Sequence, residues 1–103
     1  MNKVFEIQYI PIAEEDLKKV FEYILADDPH MAVKILDQFD EVISHLANFP
    51  YMGTVPKDSN IARMNYRYLV IETYLVFYVV IEESSIVEIR RILGSRQKYD
   101  TLL

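Results

Sequence analysis

The chain has 103 residues, a length that suits one domain, and we expect residues 1–103 to form that domain. It contains no cysteine, which excludes both a disulfide framework and a thiolate metal site. Its net charge is −5, and such an acidic protein is a poor non-specific binder of nucleic acids, because phosphate attraction requires a positive surface.

The sequence also shows neither a membrane-spanning segment nor an export signal. The N-terminal stretch MNKVFEIQYIPIAEED lacks the apolar core of a signal peptide. The longest apolar run, residues 74–81, is far too short to cross a bilayer. We therefore expect a soluble, cytoplasmic protein without a membrane partner.

The first half of the chain predicts a strand and a helical hairpin. Residues 4–10 alternate between apolar and polar side chains, which is typical of a half-buried strand. Beyond Pro11, apolar residues recur at helical spacing on both sides of a break at residues 27–29. Asp28 is suited to cap the second helix, and Pro29 is suited to its first position. Two helices joined by so short a break should lie antiparallel.

The second half predicts three strands after an irregular stretch. Residues 48–64 contain two prolines and a glycine and are predicted to be irregular. Residues 66–71, 74–81 and 86–93 are rich in β-branched and aromatic side chains. The links between these strands are short and polar, which favours an antiparallel meander. The middle strand is apolar at nearly every position, so we expect both of its faces to be buried.

The order β-α-α-β-β-β predicts an α+β fold, in which the helical hairpin packs on one face of a small, twisted, mostly antiparallel sheet. We expect Leu69, Phe77 and Ile89, or their neighbours of opposite parity, to meet the helices. The other face of the sheet is then partly open and displays side chains from adjacent strands.

The basic residues are concentrated in the second half. Residues 1–60 contain 5 Lys/Arg and 11 Asp/Glu, whereas residues 61–103 contain 6 and 5 and hold every arginine of the chain. An arginine cluster can hold a phosphate group or a carboxylate-bearing partner, although arginines on a strand face can equally be solvated charges. Tyr66, Tyr68 and Tyr99 lie beside these arginines, where their rings would serve equally to stack a base or to anchor a protein partner.

The chain carries no standard catalytic signature. It has no Gly-rich phosphate loop, no G-x-S-x-G and no zinc-binding His pair, so we expect neither a metal nor a cofactor. His30 and His45 are expected at the surface of the second helix. The Asp/Glu clusters of the helices are predicted to be solvated faces.

Four stretches of the chain, taken in order, carry a resemblance to a known family. They are AEEDL at 13–17, LANFPYMG at 46–53, YRYLV with YLVFY between 66 and 78, and RRILGSR at 90–96, followed by the final Leu102-Leu103. Together with the length and the β-α-α-β-β-β order, they resemble the RelE/ParE superfamily of toxins from type II toxin–antitoxin (plasmid stabilisation) systems. The resemblance covers essentially the whole chain.

The resemblance implies a toxin that a cognate antitoxin neutralises. A flexible antitoxin segment would fold over the exposed sheet face and the helical hairpin. The toxin would exist in a toxin–antitoxin hetero-oligomer or as a homodimer. RelE-like members enter the ribosome and cleave mRNA, whereas ParE-like members inhibit DNA gyrase and have no established hydrolytic residues. A third alternative is an inactive relative that only binds a partner protein.

On the ribonuclease branch, the 2′-hydroxyl of the nucleotide attacks the adjacent phosphate, so the protein must stabilise negative charge and handle protons. The resemblance implies that Arg67 binds the scissile phosphate and that Arg96 stabilises the transition state or the leaving group. Tyr99 would stack on a base or transfer a proton. The remaining basic side chains expected to bind substrate are Lys57, Arg63, Arg90 and Lys98.

The chain also departs from the ribonuclease branch. Those nucleases are usually basic and carry lysines just before the second strand, whereas here only Lys57 lies in that loop. Tyr99 is offset in its spacing from Arg96, and the C-terminal His-Tyr of another nuclease subgroup is missing. The hairpin and the R-I-L-G-x-R pattern of residues 91–96 suit the gyrase branch comparably. The leading expectation is a ribosome-dependent endoribonuclease, because Arg67, Arg96 and Tyr99 are all present.

Overall fold

The computed structural model describes residues 3–103 and confirms the expected α+β fold. The helices and strands follow the predicted order, with two short α-helices and two 3-10 helices of three residues in addition. Their bounds are β1 Glu6–Tyr9, α1 Pro11–Asp27, α2 Pro29–Ser44, α3 Ser59–Arg63, β2 Arg67–Ile71, β3 Tyr74–Ile81, β4 Ile86–Gly94 and α4 Tyr99–Leu102. None of the helices among these residues is long and apolar enough to cross a membrane.

The two helices of the hairpin begin at the prolines that the sequence analysis identified as boundaries. Pro11 follows β1 and is the first residue of α1, a position that suits proline. The Asp28 carboxylate accepts a hydrogen bond from the Met31 N–H at 3.1 Å, and Pro29 follows as the first residue of α2. The expected cap is therefore confirmed. The two helices pack against each other and bury one shared stripe of apolar side chains, Ala13, Val20, Ala32, Ile35, Phe39 and Ile43.

The expected irregular stretch, residues 48–64, contains one element that the prediction missed. Asp58 accepts hydrogen bonds from the N–H groups of Asn60 and Ile61 at 2.9 and 3.2 Å and so begins α3. α3 has five residues, and Ile61 is its one buried apolar residue. Its sequence therefore shows no helical periodicity.

The sheet has the strand order β1-β4-β3-β2. β2, β3 and β4 form the predicted antiparallel meander, and β1 pairs in parallel with the first half of β4. β3 lies between two neighbours, and residues 75–79 at its centre are buried, as its continuous apolar sequence predicts. The register shifts beside Phe77 and Tyr78, so that Arg90 becomes the extra residue of a β-bulge in β4.

The core has one cluster on each face of the sheet. Leu69, Tyr78 and Ile89 lie in the cluster that contains the helices, so the expectation for Leu69 and Ile89 is confirmed. On β3 the alternative of opposite parity holds: Phe77 lies in the opposite cluster, because Leu69 pairs with Val76, and successive strand residues point to opposite faces. That opposite face is more covered than expected, since Ile61 of α3, Tyr66 and the C-terminal Tyr99 and Leu103 pack on it.

Candidate functional site

Arg67 is held at the start of β2 by the segment that runs alongside that strand. Its Nη1 donates hydrogen bonds to the carbonyls of Tyr51 and Gly53 at 3.1 and 3.0 Å, and its guanidinium lies 5.2 Å from the centre of the Tyr51 ring. Thr54 and Tyr68 pair as an isolated antiparallel bridge with N···O distances of 2.8 and 2.9 Å. Arg67 therefore holds residues 51–53 beside β2, which is a structural role that requires no ligand.

The Tyr51 hydroxyl continues this network to the end of β3. It donates a short hydrogen bond to the Glu82 carboxylate, which raises the pKa of Tyr51 and lowers the pKa of Glu82. Lys3 also contacts Glu82, with its Nζ 3.3 Å from the carboxylate and 3.0 Å from the backbone carbonyl. Beside Arg67 lies a hollow of about 210 Å³ that is lined by neither Arg96 nor Tyr99.

Tyr99 lies on the opposite side of the sheet. Arg67 pairs with Tyr78, whose side chain belongs to the helix-side cluster, whereas the Tyr99 ring packs 5.1 Å from the ring of Phe77. Tyr66 and Tyr68 pack on the same Phe77 ring, at 6.3 and 5.7 Å. These tyrosines form an aromatic cover over the second face, and the buried Tyr66 has no free ring face for a nucleic-acid base.

Arg96 lies at the other end of the sheet. It is exposed in the turn after β4, where the Ser95 N–H donates to the Thr73 carbonyl at 2.8 Å. In the sheet register Gly94 pairs with Tyr74, four residues along β3 from the Tyr78 that pairs with Arg67. Four strand residues correspond to about 13 Å. The backbone of Arg67 and the end of β4 that precedes Arg96 are therefore separated by four residues along β3.

The four expected substrate-binding residues are also dispersed. Lys57, Arg63 and Lys98 are exposed, the first before α3, the second at its end and the third in the C-terminal segment. Arg90 is half-buried at the bulge, and its Nε lies 2.5 Å from the Glu88 carboxylate. Because that carboxylate already balances its charge, Arg90 is the least suited of the four to hold a phosphate.

Asp16 is an exception to the prediction that the acidic clusters of the helices are solvated. Its side chain is 10% exposed and accepts hydrogen bonds from Arg91 Nε at 2.7 Å, Arg91 Nη2 at 3.0 Å and the Ile92 N–H at 3.0 Å. Arg91 Nη1 also donates to the Leu102 carbonyl at 3.2 Å, and the bond to Asp16 raises the pKa of Arg91. This pair fastens α1 and the C-terminal helix to β4. Its signal in the sequence is the position of Asp16, which lies between Ala13 and Val20 on the buried stripe of α1.

Among the described side chains of residues 3–99 and 101–103, no group of three or more His, Asp or Glu could hold a metal ion. His30 and His45 are both exposed, as predicted for surface residues.

Comparisons with known proteins give a family and a fold. The family model described as the ParE toxin of the type II toxin–antitoxin system parDE matches residues 7–99. A structure of the chromosomal ParDE toxin–antitoxin system from P. aeruginosa is similar, with a TM-score of 0.72, 16% identity and coverage of 89% of this chain and 97% of that chain. The toxin–antitoxin complex RelBE2 from Mycobacterium tuberculosis gives a TM-score of 0.61, 18% identity and coverage of 88% and 98%. No curated protein matches the chain.

Proposed function

The chain belongs to the family of ParE toxins of type II toxin–antitoxin systems, and we propose that it arrests growth by binding DNA gyrase and blocking its activity. In this proposal the toxin is a stoichiometric inhibitor that acts in the cytoplasm and performs no hydrolysis of its own. A cognate antitoxin is its partner, in keeping with the toxin–antitoxin complexes that share its fold. Binding of that antitoxin relieves the inhibition of gyrase.

The proposal is supported chiefly by the dispersion of the residues that a nuclease would need. Cleavage by an attacking 2′-hydroxyl requires a phosphate-binding cation and a proton-transfer group around one reacting centre, within hydrogen-bond reach. Arg67 starts on the helix side of the sheet and Tyr99 packs on the other side, while Arg96 follows the far end of β4. An inhibitor that works by binding alone requires no such convergence.

Ribosome-dependent mRNA cleavage is the second candidate function. It is favoured by the fold shared with RelBE2 and by the exposure of Arg96 and Lys98, which leaves both side chains able to meet phosphates. On this alternative, the ribosome would have to bring Arg96 and Tyr99 towards Arg67. The overall acidic charge argues against tight ribosome binding, since the RNA surface is anionic.

A supercoiling assay tests the proposal. Purified toxin is titrated against purified gyrase and relaxed plasmid, and in parallel against ribosomes programmed with a labelled message. We expect supercoiling to fall as the toxin approaches the concentration of gyrase, while the message stays intact. Full supercoiling in the presence of excess toxin would reject gyrase inhibition, and cuts in the message would establish the second candidate. An inactive relative would affect neither reaction and would cause no growth arrest on induction.

A further inference from the structure

The segment that runs alongside the start of β2 exposes a group of apolar side chains. Phe49, Tyr51, Met52 and Val55 are each between 45% and 62% exposed. Tyr51 and Val55 line the hollow beside Arg67, while Phe49 and Met52 flank Tyr51 in a turn that the Met52 N–H closes on the Phe49 carbonyl at 3.2 Å. We call these four residues and Arg67 the Arg67 surface. Exposed apolar side chains in such a group are typical of a surface that contacts another protein.

Part of the Arg67 guanidinium has no partner within the described side chains. Nη1 is bonded to two backbone carbonyls, whereas Nε and Nη2 make no hydrogen bond or ion pair with residues 3–99 and 101–103. Glu82, the carboxylate of this network, contacts Tyr51 and Lys3 instead. A guanidinium that is fixed through one nitrogen and keeps its other donors is preorganised to hold both oxygens of a carboxylate.

The hollow beside Arg67 has the size of a side chain rather than of a free ligand. Its volume of about 210 Å³ is smaller than the roughly 300–1,000 Å³ of small-molecule sites. The polar lining includes Asn65 and Arg67, and the apolar lining includes Val55, Ala62 and Val80. An Asp or Glu side chain of a partner matches both, since its methylene groups contact apolar atoms while its carboxylate meets the guanidinium.

The charge around this surface is positive in a chain that is acidic overall. Residues 49–67 contain three basic residues and one acidic residue, whereas the net charge of the chain is −5. Lys57 and Arg63 are exposed, while the Asp58 carboxylate is bonded to two N–H groups of α3. A locally positive surface attracts an acidic partner. Phe, Tyr, Met and Arg are enriched at the centres of protein interfaces, whereas the DNA backbone is met chiefly by basic and polar side chains, so the composition favours an acidic protein over a nucleic acid.

We propose that the Arg67 surface is where the toxin binds gyrase, and that an Asp or Glu side chain of gyrase enters the hollow and pairs with Arg67. Apolar side chains of gyrase around that carboxylate pack on Phe49 and Met52, which excludes water from the ion pair. This inference rests on the proposed function and adds the contact surface and the chemistry of the partner. A second copy of this chain is disfavoured as the occupant of a self-paired contact, because it would bring two positive surfaces together.

Two variants of the Arg67 surface and one control test the inference. Phe49→Ala/Met52→Ala removes two exposed side chains, and Arg67→Lys keeps the charge but loses the fork that holds a carboxylate. The control Tyr23→Ala/Leu25→Ala removes an aromatic and an aliphatic side chain that are exposed on α1 and do not line the hollow. Each toxin is titrated against purified gyrase, with and without DNA, and against the antitoxin encoded by the adjoining gene. Circular dichroism checks the fold, and should Arg67→Lys unfold, the Phe49→Ala/Met52→Ala variant decides the outcome.

We expect both variants of the Arg67 surface to bind DNA-free gyrase about tenfold or more weakly than the wild type, with a matching loss of inhibition of supercoiling. The control should bind gyrase within about threefold of the wild type. Wild-type affinity of the surface variants for gyrase, or a loss no larger than that of the control, would overturn the inference. A loss seen only when DNA is present would assign the surface to DNA phosphates, and a loss seen only with the antitoxin would assign it to the antitoxin; either result would also overturn it.

The behaviour of the wild-type toxin separates this inference from the proposed function. If the wild type neither binds gyrase nor blocks supercoiling, the proposed function fails and the inference fails with it. If the wild type blocks gyrase and the variants of the Arg67 surface block it equally well, the proposed function stands and only the location of the contact is wrong.

Discussion

At the scale of single residues, the space around position 53 admits glycine and no larger residue. A Cβ at this position would lie 2.5 Å from the Tyr78 hydroxyl oxygen, 2.8 Å from Tyr78 Cε1 and 2.9 Å from the Tyr68 carbonyl. The Gly53 N–H donates to that same hydroxyl at 2.9 Å, and Tyr78 is fully buried. Neither neighbour can move cheaply, so this glycine lets the 51–54 segment approach β2 closely.

Gly53→Ala should therefore destabilise the protein by about 1–3 kcal/mol, because the added methyl group displaces a buried ring or a paired backbone. Gly94→Ala is the matched control. Its Cβ would meet nothing closer than Gln97 Oε1 at 3.5 Å, and we expect a change within about 0.5 kcal/mol. Chemical denaturation of the two variants measures the difference, and equal stabilities would contradict the packing described for Gly53.

The buried Tyr78 predicts a loss of stability at high pH. Burial raises the pKa of Tyr78 by more than the Gly53 N–H and Arg67 lower it. Above pH 10, the ordinary pKa of tyrosine, the unfolded chain releases this proton while the folded chain retains it, so the free energy of unfolding falls as pH rises. Tyr78→Phe should be less stable at neutral pH by about 1 kcal/mol but should show a shallower decline above pH 10.

Tyr23→Phe is the matched substitution at the surface, since the Tyr23 side chain is 78% exposed. Unfolding followed by circular dichroism between pH 8 and pH 11 gives the comparison. A Tyr78→Phe profile parallel to that of the wild type would show that Tyr78 does not retain its proton in the folded state.

The contacts of some residues can be predicted from the sequence, whereas those of others cannot. Asp28 could be identified as a cap because its partner lies three residues away and Pro29 follows it. Gly53 and Tyr78 are 25 residues apart, and Asp16 and Arg91 are 75 apart, so no local pattern relates them. Long-range polar pairs depend on the register of the sheet and on the bulge at Arg90, which the sequence alone does not determine.

At the scale of elements, α1 and β4 are joined by the ion pair between Asp16 and Arg91. β1 reaches only as far as Ile89, so the Ile92 N–H lies on an unpaired strand edge until the Asp16 carboxylate accepts its hydrogen bond. The carboxylate thus satisfies one backbone donor and one guanidinium at once.

Asp16→Ala should cost about 2–4 kcal/mol, because it leaves Arg91 and a strand-edge N–H without their partner. The double variant Asp16→Ala/Arg91→Ala should lose less than the sum of the two single variants. Lys18→Ala, which removes a largely exposed ion pair of 4.0 Å with Glu22, should cost no more than about 0.5 kcal/mol. Additive losses at Asp16 and Arg91 would show that the two side chains do not act as a pair.

The elements themselves were largely predictable from the sequence. The amphipathic helices and the apolar strands follow directly from their periodicity, and the bounds of β3 match the prediction. What the sequence could not determine was which parity of β3 faces the helices, because both faces of that strand are apolar. The prediction therefore left open whether Phe77 or its neighbours in β3 meet the helices.

At the scale of the whole molecule, the arginines and tyrosines that seemed adjacent in the sequence are separated by the sheet. Arg67 pairs with Tyr78, four residues along β3 from the Tyr74 that pairs with the end of β4, and Tyr99 packs on the face that carries Phe77. The residues of a candidate site can thus be proposed from sequence. Whether their side chains come together depends on the register of the strands and on the face of the sheet to which each side chain points. The family membership therefore rests on the whole chain rather than on this site.

Tyr99→Phe and Arg96→Ala separate the two branches at this scale. If the toxin acts by binding gyrase, Tyr99→Phe should retain growth arrest, since the ring still packs on Phe77, and Arg96→Ala should retain the fold because its side chain is exposed. Under the nuclease alternative, loss of the hydroxyl should reduce the rate about 10²-fold or more. Growth arrest under a titratable promoter measures the outcome, with Tyr99→Ala as the variant that also removes the packing.

Pulse labelling of DNA and protein synthesis after induction of the toxin tests the central claim most directly. Inhibition of gyrase predicts that incorporation of thymidine falls first, with intact messages and continued incorporation of amino acids in the same interval. An immediate fall in amino-acid incorporation, with cleaved messages and unaffected DNA synthesis, would contradict the account and assign the chain to the ribonuclease branch.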